Sequence, residues 1–254
     1  MDPATLIGIA LAFGALWAMV TLEHASLSSL FLAAPMILVF GGTIAVGLAS
    51  GTLPDALSAV KALPRAFLGR AAKPHESIEQ IVELAAQVRS EGALSLERNA
   101  AEAEDPFVRV ALQNIADGTH ADELRLLLED QIETKARQDR VPANFFQALG
   151  GYAPTIGVAG TVVSLTHVLE NLSDPATLGP MVAAAFVATL WGILSANFLW
   201  IPIASRLRRL SDLEVQTMTL VMEGILAVQA GDPPRLVDER LRAMVPDGVL
   251  PAAA

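Results

Sequence analysis

The sequence predicts an all-α, polytopic membrane protein: four transmembrane helices in two hairpins, with a helical cytoplasmic domain between helices 2 and 3. Three observations carry this. The 254 residues are 53% hydrophobic, with a mean hydropathy of +0.48, and only 17% are charged, against roughly 25% in soluble domains. All 17 Lys and Arg residues lie between Lys61 and Arg140 or between Arg206 and Arg242, so cation-free blocks at 1–60 and 141–205 alternate with two basic ones. The charged stretches carry apolar residues at helical spacing, and no strand-like alternation of useful length occurs.

The first element, Ala4–Leu22, reads ATLIGIALAFGALWAMVTL without an ionisable residue. About 20 residues at a rise of about 1.5 Å span the roughly 30 Å hydrocarbon layer. The stretch lacks the basic flank and small-x-small cleavage site of a signal peptide, so it is expected to stay as a membrane helix. After the link EHAS, residues 27–50 form a second uncharged span. In it Pro35 either kinks the helix or marks its start, and the Gly41–Gly42 pair allows close helix contact or local bending.

Residues 51–147 change character. SIEQIVELAAQVR and ADELRLLLEDQIETKAR each set an apolar face against a charged one, as soluble helices do. Asp117-Gly118-Thr119 reads as a turn between helices, with Asp122 or Thr119 as the cap of the next. Residues 149–169 form a third span, ENLSDPATLG a polar turn, and residues 180–204 a fourth span ending at SRLRRL. The chain thus divides into a transmembrane hairpin (1–50), a cytoplasmic helical domain (51–147), a second hairpin (148–204) and a helical tail (205–254). In the tail, Asp232-Pro233-Pro234 separates a helix continuing from the fourth span from a short terminal one. The basic blocks belong on the cytoplasmic side, which puts both termini there.

Composition and motifs exclude much chemistry. A net charge of -10 opposes nucleic-acid binding, which rewards clustered Lys and Arg. The absence of cysteine excludes a disulfide framework and a thiolate metal site. Histidines stand only at 24, 75, 120 and 167, with no HExxH and no metal-ligand spacing. Neither GxxxxGK[ST] nor GxSxG occurs. A protein that is not an enzyme and has neither cofactor nor metal is expected.

The third and fourth spans are polar without being charged. The third carries Thr155, Thr161, Ser164 and Thr166, and the fourth carries Thr189, Ser195 and Asn197. Hydroxyls in hydrocarbon want partners, so they serve either as interhelix contacts or, at Thr161 and Thr189, as a wet path for small cations. No span interior holds Asp, Glu, Lys or Arg, although proton carriers normally place an ionisable group at membrane depth. Glu23 and Glu170 stand only at the outer ends. If these helices move ions, a partner has to supply the carboxylate.

Several separated motifs in order resemble the flagellar stator subunits of the MotA/PomA type, within the wider MotA/TolQ/ExbB family. They are VFGGT at 39–43, LER and EDPFVRVALQNIADGT in the loop, GGYAPTIGVAGTVVSL in the third span, and DPATLGPMVAAAFVATLWGILSANFLWIPIA through the fourth. Two spans, a domain of about ninety residues and two more spans resemble MotA rather than TolQ or ExbB, which usually have three spans. The resemblance implies an inner-membrane homopentamer of this chain around two copies of a MotB-like, single-span, peptidoglycan-binding partner (5:2). The partner's aspartate binds the moving ion, a proton or a sodium ion. Inward ion flow then turns the pentamer, and the cytoplasmic domain pushes the flagellar rotor protein FliG.

Residue by residue, the resemblance implies that Pro154, at the start of the third span, and Pro202, at the inner end of the fourth, couple ion occupancy to helix movement. Gly157 lies on the same face one turn before Thr161. Pro154 also fits a first-turn helix position, where a missing N–H costs nothing, and Pro202 also fits a simple bend. Thr189 matches the threonine facing the partner's aspartate. Thr161 stands where sodium-type members carry threonine, whereas Ala188 departs from the second threonine of many sodium members, so the coupling ion is left open. Arg98 matches the rotor-facing arginine, and Glu102, Glu104 and Asp105 lie where a rotor-facing acid is expected; an ordinary solvated face is the alternative. Two other readings stand beside the motor: an ExbB/TolQ-like energiser of envelope transport using the proton gradient, and a passive membrane scaffold.

Overall fold

The computed structural model describes residues 4–24, 26–69, 73–173 and 175–246. Ala25 of the EHAS link, Asp174 of the polar turn and the last part of the tail, 247–254, lie outside the described residues. Every regular element among the described residues is helical, as expected. The chain forms two compact units, Met1–Arg70 with Asp139–Leu210, and Ala71–Gln138 with Ser211–Ala254.

In the first unit, α1 spans Ala4–Leu22, followed by a 3-10 turn at Leu27–Leu30 and by α2, Ala33–Ala49. The second apolar helix therefore begins at residue 33 rather than 27. Pro35 fits this start: in the first helical turn its missing N–H costs nothing, and Leu32, just before the helix, is extended at φ -94° and ψ 123°. Pro35 marks the start of the helix. A wider π turn, Ile37–Gly41, interrupts α2 and ends at the first glycine of the Gly41–Gly42 pair. Of the two, Gly42 makes the close contact, since a Cβ there would stand 3.3 Å from Ile156, whereas Gly41 faces open space.

Helix α3, Leu53–Leu68, starts with a reciprocal cap between Thr52 and Asp55. Although it falls within the stretch expected to be soluble, it belongs to the first unit. Its Ala59 and Ala66 are buried with Phe146, Leu149, Ile203 and Leu207, and Arg65 pairs with Asp139 at 2.9 Å.

The second unit contains α4 (Pro74–Glu91), α5 (Leu96–Glu102) and α6 (Pro106–Ala116). Gly118, at φ 78°, makes the predicted turn after α6. The next helix, α7, runs Ala121–Glu170, so His120 stands in the capping position; the Thr119 hydroxyl instead bonds Asn114 at 3.1 Å, and Asp122 lies in the first turn. Helix α8 spans Pro175–Ser195, a second π turn covers Ala196–Trp200, and α9 continues over Ile201–Ala230. The polar turn is thus shorter than expected, because helix resumes at residue 175 instead of 180. After Gly231, at φ 78°, α10 spans Pro234–Ala243. The tail packs with the loop: Ile225, Val228, Val237 and Leu241 share one core with Ile78, Leu96, Leu112, Leu124 and Leu128. Amphipathic stretches far apart in sequence bury each other's apolar faces here.

Thr5–Leu22, Ala121–Glu170 and Thr177–Ala230 contain windows long and apolar enough to cross a membrane, and Ala33–Ala49 is a shorter apolar helix. At about 1.5 Å per residue, 17 residues reach about 25 Å, a few ångströms under the hydrocarbon thickness.

Candidate functional site: the contact of the third and fourth spans

Two glycines bring α7 and α8 together until backbone touches backbone. A Cβ added to Gly157 would meet the Ala188 carbonyl oxygen at 2.8 Å and Gly192 Cα at 3.1 Å. One added to Gly192 would meet the Ala153 carbonyl oxygen at 2.7 Å and Pro154 Cα at 3.3 Å. Gly160 continues the contact, with Ala188 Cβ 3.0 Å from its own would-be Cβ. Small residues allow this approach, which is how membrane helices gain packing energy without a hydrophobic driving force.

One turn beyond Gly157, the approach places two predicted side chains together. The hydroxyls of Thr161 and Thr189 hydrogen-bond each other. Thr161 Oγ1 also lies 2.9 Å from the Ala185 carbonyl oxygen and 3.2 Å from that of Gly157. With one proton on each hydroxyl, Thr161 donates to one of these carbonyls and accepts from Thr189. Four oxygens from two helices thus form a half-buried cluster, the kind of ligand hard cations favour. No carboxylate or amine accompanies it within the spans, so the cluster can solvate a cation but cannot hold a proton at neutral pH.

Pro154 does not begin a helix, the alternative that its missing N–H also fitted. It lies inside the 50-residue helix α7, not in a first turn, and its ring removes the bond that residue 154 would give the Gly150 carbonyl. Thr155 Oγ1 donates to the Tyr152 carbonyl at 2.8 Å, and Gly150 lies against Ile201, whose Cγ1 is 2.6 Å from a would-be Cβ. Pro202 is the second residue of α9, directly after the π turn, and lines a cavity beside α1 away from the threonine pair.

Trp191 anchors the other side of α8. It is buried, donates from Nε1 to the Leu30 carbonyl at 2.6 Å, and packs 5.4 Å from Phe31 and 5.8 Å from Phe40. Neither Trp191 nor Gly192 was singled out in the sequence. The signal for Gly192 was present as small residues spaced by four, Ala188, Gly192 and Ala196.

The predicted rotor-facing residues belong to the second unit. Arg98, on α5, is 70% exposed, and its nearest acid is Glu91 at 3.8 Å. Exposed Leu94 stands beside it, a residue the sequence reading passed over. Glu102 ends α5 and Glu104 follows in the loop, both exposed. Asp105 has a structural task, since its carboxylate accepts from Phe107 N at 2.8 Å and caps α6. Across the same unit, Glu223, only 16% exposed, accepts from Arg125 at 2.6 and 3.4 Å and from Arg240 at 2.7 Å. Hydrogen bonding from Arg125 holds its carboxyl below the ordinary carboxylate range, against the opposing effect of burial.

Comparisons with known proteins show which family the chain resembles. Residues 99–220 match the MotA/TolQ/ExbB proton channel family. Chemotaxis protein PomA of Vibrio alginolyticus is 33% identical over 248 residues, covering 98% of this chain and 97% of that protein. Motility protein A of Bacillus subtilis (strain 168) is 34% identical over 252 residues, covering 97% and 92%. Among solved structures, C. jejuni MotAB superposes with a TM-score of 0.93 at 25% identity, covering 100% of both chains. The flagellar MotAB stator complex from Bacillus subtilis gives 0.88 at 32% identity, covering 95% of each.

Proposed function

Because the chain belongs to the MotA/TolQ/ExbB family, on its MotA/PomA branch, it is a multi-pass inner-membrane subunit of a flagellar stator, and we propose that its paired threonines line the path of the driving ion. The family is one of ion-channel subunits rather than enzymes. The observation that carries the proposal is the hydroxyl pair of Thr161 and Thr189, set at a glycine-to-glycine helix contact in spans without a carboxylate.

On this reading the chain crosses the membrane four times, through α1, α2, the second half of α7 and α8 continuing into α9, with both termini cytoplasmic. The positive-inside placement of Lys and Arg supports that orientation. A MotB-like single-span subunit anchored to peptidoglycan supplies the aspartate, and the MotAB complexes among the structural neighbours support such a partner. Five copies of the chain surround two of the partner. Protons or sodium ions moving inward yield about 2.3 kcal/mol per charge per 100 mV, enough for a small helix displacement at each step. Pro154, Gly157 and Pro202 transmit that displacement. Arg98, with Glu102 and Glu104, engages FliG by exposed charge, which selects partners without large buried area. Asp105 is left to its cap. Full-length identity to motility proteins favours this motor over an ExbB/TolQ-like energiser or a passive scaffold.

The test is the swimming speed of cells that depend on this chain, measured with sodium removed and then with a protonophore added. Speed that survives sodium removal rules out sodium coupling. In parallel, Thr189→Leu should abolish swimming while membrane insertion stays intact; retained swimming removes the threonines from the ion path.

A further inference from the structure

A cavity of about 440 Å³ lies between α1 and the second π turn, walled by Gly8, Ile9, Ala12 and Phe198 and reaching Ser205 and Arg206 at one end. Phe198 of its wall also makes a T-shaped contact with Phe13, centroids 5.6 Å apart. The slot is mainly apolar, with Thr5 and Asn197 as uncharged polar residues in its wall and Arg206 at its mouth, and no carboxylate lines it among the described residues.

The mouth has unused donors. Arg208 and Arg209 follow Ser205 by three and four residues, which on a helix places both one turn along beside it. Both are exposed, and among the described residues neither has an ion-pair partner; the Ser205 hydroxyl has no hydrogen-bond partner there either. Arg206 is steadied at the Gly69 carbonyl, 3.4 Å from its Nη2. Inside the slot, a Cβ added to Gly8 would meet nothing within 4 Å.

We propose that this slot binds an anionic phospholipid of the cytoplasmic leaflet, its phosphate held by Arg206, Arg208, Arg209 and Ser205 and one acyl chain laid along Gly8, Ile9, Ala12 and Phe198. Basic pockets between membrane helices on the cytoplasmic side take such headgroups. Arg208 and Arg209, without ion-pair partners among the described residues, supply charge beside Arg206, and the mainly apolar slot distinguishes a lipid from a free phosphate. The inference rests on the membrane orientation given above but not on which ion drives the motor.

The test uses the full chain extracted from nanodiscs that contain equal phosphatidylglycerol and phosphatidylcholine, with retained lipid measured by mass spectrometry. Phosphatidylglycerol should be retained preferentially, and Arg208→Gln and Arg209→Gln should each cut that preference by about fivefold. Gly8→Leu, which fills open space and keeps every charge, should cut retention as well, and excess inorganic phosphate should leave it unchanged. Equal retention of the two lipids by the unaltered chain overturns the proposal. So does undiminished retention in Gly8→Leu, or displacement by inorganic phosphate. Swimming is not the readout, so a failed motor assignment and a failed lipid site give different results.

Discussion

Where Leu124, Leu128 and Ile225 meet, helices are held apart by branched side chains and tied by ion pairs; where Gly157 meets Gly192, backbone lies on backbone and the ties are hydroxyls. The contrast follows from the surrounding solvent. In water each buried Leu or Ile gains about 1.5–3 kcal/mol, so large side chains make good cores. In lipid that gain vanishes, and close approach of small residues with interhelical hydrogen bonds takes over. Ion pairs follow the same division: Glu223 with Arg125 and Arg240 belongs to the unit of large side chains, and the contact of α7 and α8 has none.

The three tryptophans, Trp17, Trp191 and Trp200, all belong to the first unit, so their fluorescence reports its unfolding, while amide hydrogen exchange can follow the second. The largest effect is expected from Gly192→Val. Its Cβ would stand 2.7 Å from the Ala153 carbonyl, backbone that cannot yield, so the tryptophan-monitored unit should lose about 3 kcal/mol or more and swimming should stop. A neutral result would break the claim that this contact is made by backbone. Leu128→Ala should cost about 3 kcal/mol in the other unit, read as lost exchange protection in α4 and α9 with the tryptophan transition unmoved.

Next comes Glu223→Gln. Arg125 and Arg240 stay partly solvated without their acid, so the loss should be about 1–2 kcal/mol. Because folding lowers the Glu223 pKa, its stabilisation is present above the ordinary value of 4.5 and is lost as pH falls through the lowered folded value. Exchange protection in the unaltered chain should therefore decline in that acid range, and the Gln variant should lack that component of the decline. The smallest stability change belongs to Thr161→Val, about 0.6 kcal/mol for one interhelical hydrogen bond in a membrane, with a large fall in swimming speed. A stability loss as large as that of Gly192→Val would instead make the hydroxyls packing contacts.

How much was legible differs between the two units. Helical spacing gave the amphipathic elements, and Asp117-Gly118 and Asp232-Pro233-Pro234 marked real turns. That the tail buries Ile225 and Leu241 against Ile78 and Leu128 was not legible, because two amphipathic faces do not state which covers which. In the spans, Thr161 and Thr189 were found because a hydroxyl in an uncharged run is conspicuous. Their partner Gly192 was missed because a glycine's role is to leave room, which shows only once the opposite helix is in place. Of the two positions open to Pro154, the first helical turn does not hold: the residue lies inside α7, where its missing N–H gives no sign in the sequence of whether the helix begins or continues.

The π turn at Ala196–Trp200 has a consequence for counting. Bonding across five residues instead of four puts an additional residue into that turn, and one residue corresponds to about 100° of rotation. A relative shorter by one residue between Ser195 and Ile201 could close the turn into regular helix and still present Gly192 to one neighbour and Ile203 to another only by twisting one end against the other. A single-residue gap in the middle of that apolar run would thus be a genuine difference in how the helix is phased, rather than a misalignment to be smoothed away.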